Sequence, residues 1–390
     1  MAATKKRTNP MLAALTTSAL ALPGLNVKAD SAPEAASVGY RFYVYQEGDA
    51  PVDKLSSGSP ERYSIYVNQF QLLAPLNESV SINFNYIQES MSGASPVGTE
   101  AGDGGESQLI MSAASIKESR RDVSSTVRWY AENGNLGMSV GVSNENDYDA
   151  TYGGIDVERH FNKKNTSVKL ASSVSSDTLS PTGRVDEQSK QFTQSKQSVS
   201  MVASITQLVS AQAMLQTGFG TTLLSGYLTD PYKALEGDVR PESKNQYTWS
   251  AGARIFFAAQ DAAMHIGYRY YTDDWNINSH AVKLSWYQNI KYDIQLIPSL
   301  RYYVQTEAEF YDRYFTTARS DGFFSTDYRL SSYGAISAKL KYVQTLKRFS
   351  YTATIEWYDS SASYSYRNIS FESPGLVNYV MFTTGLNFNF

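Results

Sequence analysis

Among its 390 residues the chain has no cysteine. Disulfide staples, thiolate metal sites and cysteine nucleophiles are therefore excluded. Histidine is nearly missing as well, with three residues, which leaves little room for imidazole chemistry. No window holds the roughly 18 consecutive apolar residues that a membrane-spanning helix needs. No segment repeats apolar residues at helical spacing either. Positive charge is not in excess: 34 basic and 38 acidic residues leave a net charge of −4. That balance argues against a nucleic-acid partner and against a polybasic, lipid-binding surface. Proline (12) and tryptophan (5) are scarce, whereas tyrosine is abundant at 29.

The N-terminus reads as a processing segment. Lys5, Lys6 and Arg7 precede an apolar stretch from Met11 to Leu25, and Val27-Lys28-Ala29 places small residues where a signal peptidase reads. The expected boundaries are a signal peptide over 1–29, a short periplasmic lead over 30–37 and one domain over 38–390, exported by a Sec-type route. So short a lead leaves no room for a plug domain or a secreted passenger.

What the chain does contain is alternation with period two. Val80, Ile82, Phe84 and Tyr86 alternate with Ser81, Asn83 and Asn85. Tyr247, Trp249, Ala251, Ala253, Ile255 and Phe257 alternate with Thr248, Ser250, Gly252 and Arg254. About sixteen such segments follow one another, each long enough for a tilted strand to cross a bilayer, which takes about 9–11 residues. Short links near 74–77, 132–135, 162–165, 209–211, 258–261, 289–291 and 345–348 take turns with links that are mostly longer. Tight turns at one end and long loops at the other are the asymmetry of outer-membrane barrels. The expected fold is an all-β, antiparallel, up-and-down transmembrane β-barrel of about sixteen strands. Closure has a physical cause: in hydrocarbon every backbone N–H and C=O must be paired within the protein, and a closed sheet is the β solution. The last segment ends on Phe390, the kind of terminal aromatic that the barrel-assembly machinery reads.

Several stretches carry a family resemblance. They are Met91-Ser92-Gly93-Ala94-Ser95-Pro96, Gly226-Tyr227-Leu228-Thr229-Asp230-Pro231-Tyr232-Lys233, the run Tyr268 to His280, Arg301 to Thr306, and Ser325-Thr326-Asp327-Tyr328-Arg329-Leu330-Ser331. Together they resemble an outer-membrane family catalogued as domain of unknown function 3570. The resemblance implies an outer-membrane barrel and brings no activity, cofactor or catalytic residue with it.

Strand parity turns the interior into a list of candidates. Arg41, Arg128, Lys169, Arg254, Arg269, Lys283, Arg301, Lys339 and Lys341 are expected to face inward, with Asp156, Glu158, Asp293 and Glu356 as the inward acids. A water-filled lumen lined by guanidinium and ammonium groups favours anions. The same charges could equally pair across the lumen and brace the barrel. Inward tyrosines (Tyr43, Tyr45, Tyr130, Tyr271, Tyr287, Tyr303) would suit a sugar track. Tyr268, Tyr270, Trp275 and Trp286 are assigned to an outer aromatic girdle, and Phe257, Trp129, Phe388 and Phe390 to an inner one.

Other patterns are weaker. His280 shares parity with Val282, Leu284 and Trp286, and Ser279 points to the opposite face, so the pair cannot act as a hydrolase dyad within the strand. Glu145, Asp147 and Asp149, and likewise Glu100, Asp103 and Glu106, read as solvated rim charges that could bridge lipopolysaccharide through divalent ions; neither run has the spacing of a calcium loop. The stretch Gln108 to Ile116 is too apolar for an extracellular loop. It either folds into the mouth or packs on neighbouring loops. The functions open at this stage are a channel for small solutes, a non-conducting scaffold in an envelope assembly and, third, an embedded hydrolase.

Overall fold

The structure is a computed structural model that describes residues 32–112, 116–181, 192–233, 238–317 and 319–390. The expected signal peptide lies outside the described residues. Among the described residues nineteen strands occur in chain order. Sixteen of them close a barrel: β1 (Ser37–Glu47), β3 (Ser64–Asn77), β4 (Val80–Gly93), β7 (Ile116–Ala131), β8 (Gly134–Asn144), β9 (Tyr148–Phe161), β10 (Thr166–Leu179), β11 (Gln194–Ser210), β12 (Ala213–Gly226), β13 (Ser243–Phe257), β14 (Ala262–Asp273), β15 (Asn278–Lys291), β16 (Ile294–Gln305), β17 (Tyr333–Leu346), β18 (Phe349–Ser361) and β19 (Asn378–Asn389). Each pairs antiparallel with its neighbour, and β1 seals against β19 with Ser37 opposite Asn389. The remaining three, β2 (Leu55–Ser57), β5 (Pro96–Ala101) and β6 (Ser107–Met111), form a small separate sheet.

Alternation along the strands decides which way the barrel faces. Val140, Leu170, Phe219, Leu300, Ile355 and Leu386 all stay exposed on the outer wall. In water such a belt would be unfavourable, whereas lipid chains cover it at no such cost. No helix among the described residues is long and apolar enough to cross a membrane.

One end carries only tight turns. At 162–165, Asn162, Lys163 and Lys164 all take positive φ, the backbone that lets two twisted strands join without splaying. The other end carries the long connections: 48–63, 94–115, 180–193, 227–242, 306–332 and 362–377, with short ones at 145–147 and 274–277. The barrel strands run from 11 to 17 residues, enough for a bilayer crossing, which takes about 9–11, and the longer ones exceed it.

Two girdle assignments need correction. Trp286 belongs to the inner end: it packs on Phe257 with ring centroids 5.4 Å apart, beside the turn 258–261. Trp275 does not face lipid at all. It is buried in the outer turn against Phe310. Phe388 and Phe390 do meet at the inner end, 4.9 Å apart, and the Phe390 N–H donates to the Ala36 carbonyl across the seam.

Candidate functional site

The barrel interior divides into two unlike walls. On one, cations follow each other across neighbouring strands: Arg254 on β13, Arg269 on β14, Lys283 on β15, Arg301 on β16, Lys339 and Lys341 on β17, and Arg41 on β1. All share the face opposite the apolar belt. Lys283 and Arg301 are direct register partners, with Cα opposite Cα. Like charges placed so are destabilising by themselves. Below the outer rim the acid on this arc is Glu356, and it is committed to Lys339 at 3.0 Å. Among the described residues no carboxylate pairs with Arg269, Lys283 or Arg301. Arg41 touches Gln69 at 3.5 Å. These side chains remain solvent-exposed although they point inward, and a Cβ added to the inward Gly267 would meet nothing within 4 Å. Open space lies beside this part of the wall.

The opposite wall is compensated. Arg128 forks onto both oxygens of Asp156 at 2.8 Å each and also reaches Asn135. Lys169 adds a second cation to Asp156 at 3.5 Å. Farther out, Arg120 lies among Glu89 (3.1 Å), Asp122 (3.1 Å) and Glu145 (3.6 Å), all buried. Asp177 takes Lys196 at 3.3 Å and the Tyr148 hydroxyl. Glu89, Asp122 and Asp177 are inward acids that sequence reasoning missed, although Asp122 has the parity of Arg128 on the same strand. Asp293 is corrected in the other direction: it sits in the inner turn after β15, where Gln344 donates to it at 3.2 Å, and it lines nothing. Glu145 is no solvated rim charge. Burial pushes its carboxyl up to about 8 even with Arg120 opposing that rise.

The histidines are structural in their contacts. His280 bonds the Tyr268 hydroxyl at 2.8 Å on the outer face, His160 bonds Ser167 at 2.8 Å, and His265 stacks on Tyr287. The inward tyrosines are mostly tied down as well: Tyr45 to Glu47, Tyr271 to Asp273 and Tyr303 to Gln305.

Above the lumen, the connection 306–332 lies across the mouth. Its contacts reach five of the other outer connections. The Arg313 carbonyl accepts from Thr99 and Ser107, and Tyr314 donates to the Gly105 carbonyl, in the β4–β7 connection. Phe324 bridges Val239 in the β12–β13 connection. Phe310 packs on Trp275, Tyr311 stacks on Phe371, and the Arg62 guanidinium lies over the Tyr328 ring at 5.6 Å. A loop that touches connections on several sides of a ring must pass over its centre. The apolar stretch 108–111 therefore packs as β6 on other loops, with Leu109 and Met111 buried against Ala50 and Ala94.

An ion cluster fastens this roof. Asp327 is fully buried and accepts from Arg329 Nε at 2.8 Å and Arg240 Nη2 at 2.8 Å, with Lys233 Nζ at 3.7 Å. Asp230 holds Arg329 at 2.9 Å, and Asp238 holds Arg240 at 2.8 Å. Burial alone would raise the Asp327 carboxyl, but Arg329, Lys233 and Arg240 outweigh it and hold it well below the usual carboxylate range. A second fastening joins the two sides of the barrel seam. Arg62 pairs with Glu47 at 3.1 Å and donates to the carbonyls of Gly375 (2.9 Å) and Leu376 (3.3 Å). The stretches singled out for family resemblance are the ones that meet here: 226–233 and 325–331 build the ion cluster, 268–280 holds Trp275, and 91–96 leads into β5.

Comparison with known proteins agrees with this architecture. The family model described as "Protein of unknown function (DUF3570)" matches residues 12–387. No curated protein matches the chain. Among solved structures, a bacterial polysaccharide outer membrane secretin is 12% identical, with 91% of this chain and 98% of that one covered and a TM-score of 0.50. CdiB from Acinetobacter baumannii is 8% identical, with 91% of this chain covered and a TM-score of 0.53; the chain spans 60% of that protein's length. At such identities the likeness shows the fold, that of outer-membrane barrels.

Proposed function

We propose that this chain, which belongs to the DUF3570 family of proteins of unknown function, forms an outer-membrane channel for small anionic solutes. The observation that carries the reading is the arc of Arg269, Lys283 and Arg301, which no carboxylate among the described residues neutralises, facing the open space above Gly267. Charges kept only for bracing have partners, as Arg128, Lys169 and Lys339 do. Charges left to water inside a sixteen-stranded barrel set a potential that draws anions and repels cations.

Planar-bilayer recording under a salt gradient tests this. Open-state steps with a reversal potential on the anion side are expected, and Lys283→Gln with Arg301→Gln moves that potential toward zero. Cation preference in the unaltered protein refutes the reading.

A second reading has its own observation. The connection 306–332 crosses the mouth and is fastened by buried ions, which suits a non-conducting barrel that presents its outer face to an envelope partner. Silence at every voltage, from protein shown to be folded, favours that reading over the first.

A further inference from the structure

We infer that the cationic wall holds a binding site for a divalent oxyanion of the phosphate class, seated between Arg269, Lys283 and Arg301. The inference rests on the open space of the channel reading and goes on to name a ligand.

Register gives the site its shape. Lys283 and Arg301 face each other directly, and Arg269 lies diagonally outward of Lys283, because its own partner is Ala281, two residues away. Directly opposed Cβ atoms lie about 4.5–5.5 Å apart and diagonal ones about 7–8 Å, so the three long side chains are within reach of one ligand, to which the Arg301 guanidinium would swing from its place 5.3 Å from the Tyr303 ring centroid. The remaining register partners are small. Lys283 faces Gly267 on its other side, Arg269 faces Ala281, and Arg301 faces Ser337. Three long cations therefore surround a floor with no bulk on it, and the position above Gly267 is open space. A wall meant only to be filled would carry large side chains there, as lumens packed by their own side chains do.

The charge indicates what fits. Three cations with no carboxylate of their own are left far from neutral by one chloride, whereas a phosphate dianion offers oxygens to two planar guanidinium forks and an ammonium at once. The nearby acid, Glu356, bonds Lys339 and so screens the inner edge of the site without occupying it.

The test is a titration of inorganic phosphate into the folded, detergent-solubilised full chain by calorimetry, with chloride as competitor. Saturable binding that chloride displaces only in large excess is expected. Lys283→Gln and Arg301→Gln each weaken it by about tenfold or more, the loss of one hydrogen bond to a charged group. Gly267→Leu, which removes no charge but fills the floor, abolishes it. Heat-resistant migration on gels checks that each variant is folded. Phosphate binding that survives Lys283→Gln and Gly267→Leu overturns the site, as does phosphate no tighter than chloride. The two readings fail separately: conductance without phosphate binding removes the site and leaves the channel, and binding without conductance does the reverse.

Discussion

Asp327→Asn removes the charge on which the roof converges while keeping the side chain's size. In the native protein Asp327 is fully buried, and Arg329, Arg240 and Lys233 all bear on it. The variant leaves those three cations with two carboxylates, Asp230 and Asp238, so one positive charge stays buried without compensation. Breaking a buried pair from one side costs about 3–5 kcal/mol. Since sixteen paired strands hold the barrel independently, the cost falls on local opening of the connection 306–332. At 1.4 kcal/mol per decade, its open population rises by roughly a hundred- to a few-thousand-fold. Trypsin reads this directly in folded, detergent-solubilised protein. Cleavage after Arg329, whose guanidinium is held by Asp327 and Asp230, should rise steeply in Asp327→Asn over the parent, while cleavage after Lys347, exposed in an inner turn that the cluster does not touch, serves as the internal control. The pH dependence has a defined sign. The folded carboxyl is lowered, so its stabilisation is present above the unfolded value of about 3.9 and is lost as pH falls through the folded one. Parent protein should thus keep the connection closed from neutral pH down to about 4 and loosen only in stronger acid, where pepsin, active at low pH, takes the place of trypsin. If Asp327→Asn resists trypsin as the parent does, the cluster does not hold the roof.

Glu145→Gln should act in the opposite pH sense. Its folded carboxyl is raised to about 8 by burial, so the stability it confers is present below the unfolded value and lost as pH rises through 8; the protection of amides 145–147, taken relative to their intrinsic exchange rates, should fall as pH rises through 8 in the parent and stay level in the variant. Trp275→Ala removes a buried ring from the Phe310 and Leu330 cluster and a hydrogen bond to the Ser243 carbonyl, a change worth about 3–5 kcal/mol, and it should expose 306–332 to protease as Asp327→Asn does. Arg128→Met leaves Asp156 with Lys169 alone and should lower the temperature at which the barrel loses its heat-resistant band by several degrees; an unchanged temperature would mean that the pair does not brace the wall. Deleting Phe390 should lower the amount of protein in the outer membrane while the purified chain still folds in detergent, because its contacts with Phe388 and Ala36 are few.

How much of this could be read from residues alone differs between wall and roof. A strand puts alternate side chains on opposite faces, so Val80, Ile82 and Phe84 assign their neighbours to the lumen without any tertiary information. The number of strands and the sorting of long and short connections follow from the same local rule. Position along a strand is another matter. Trp286 and Tyr268 have the same preference for an interface, and only counting from Asn278 inward shows that Trp286 lies near the inner turn. The roof was not legible at all. Arg240 meets Asp327 over a separation of 87 residues, and their encounter depends on the circumference of the closed sheet. Nothing in the spacing of either residue encodes a circumference. Glu145 shows the same limit: an acid in a short outer loop looks wet until neighbouring strands rise beside it and bury it.

The fastening over the seam has a consequence for the order in which the molecule is made. Arg62 belongs to the first long connection, yet the carbonyls it grips lie 313 and 314 residues later. Early in folding, therefore, this guanidinium has only Glu47 for company, and its place stays unfinished until β19 docks on β1. A chain stalled one strand short of closure would betray itself at the opposite terminus, through an arginine still open to reagent. Burial of Arg62 thus requires both sides of the seam, and its accessibility tells a sealed cylinder from an open one.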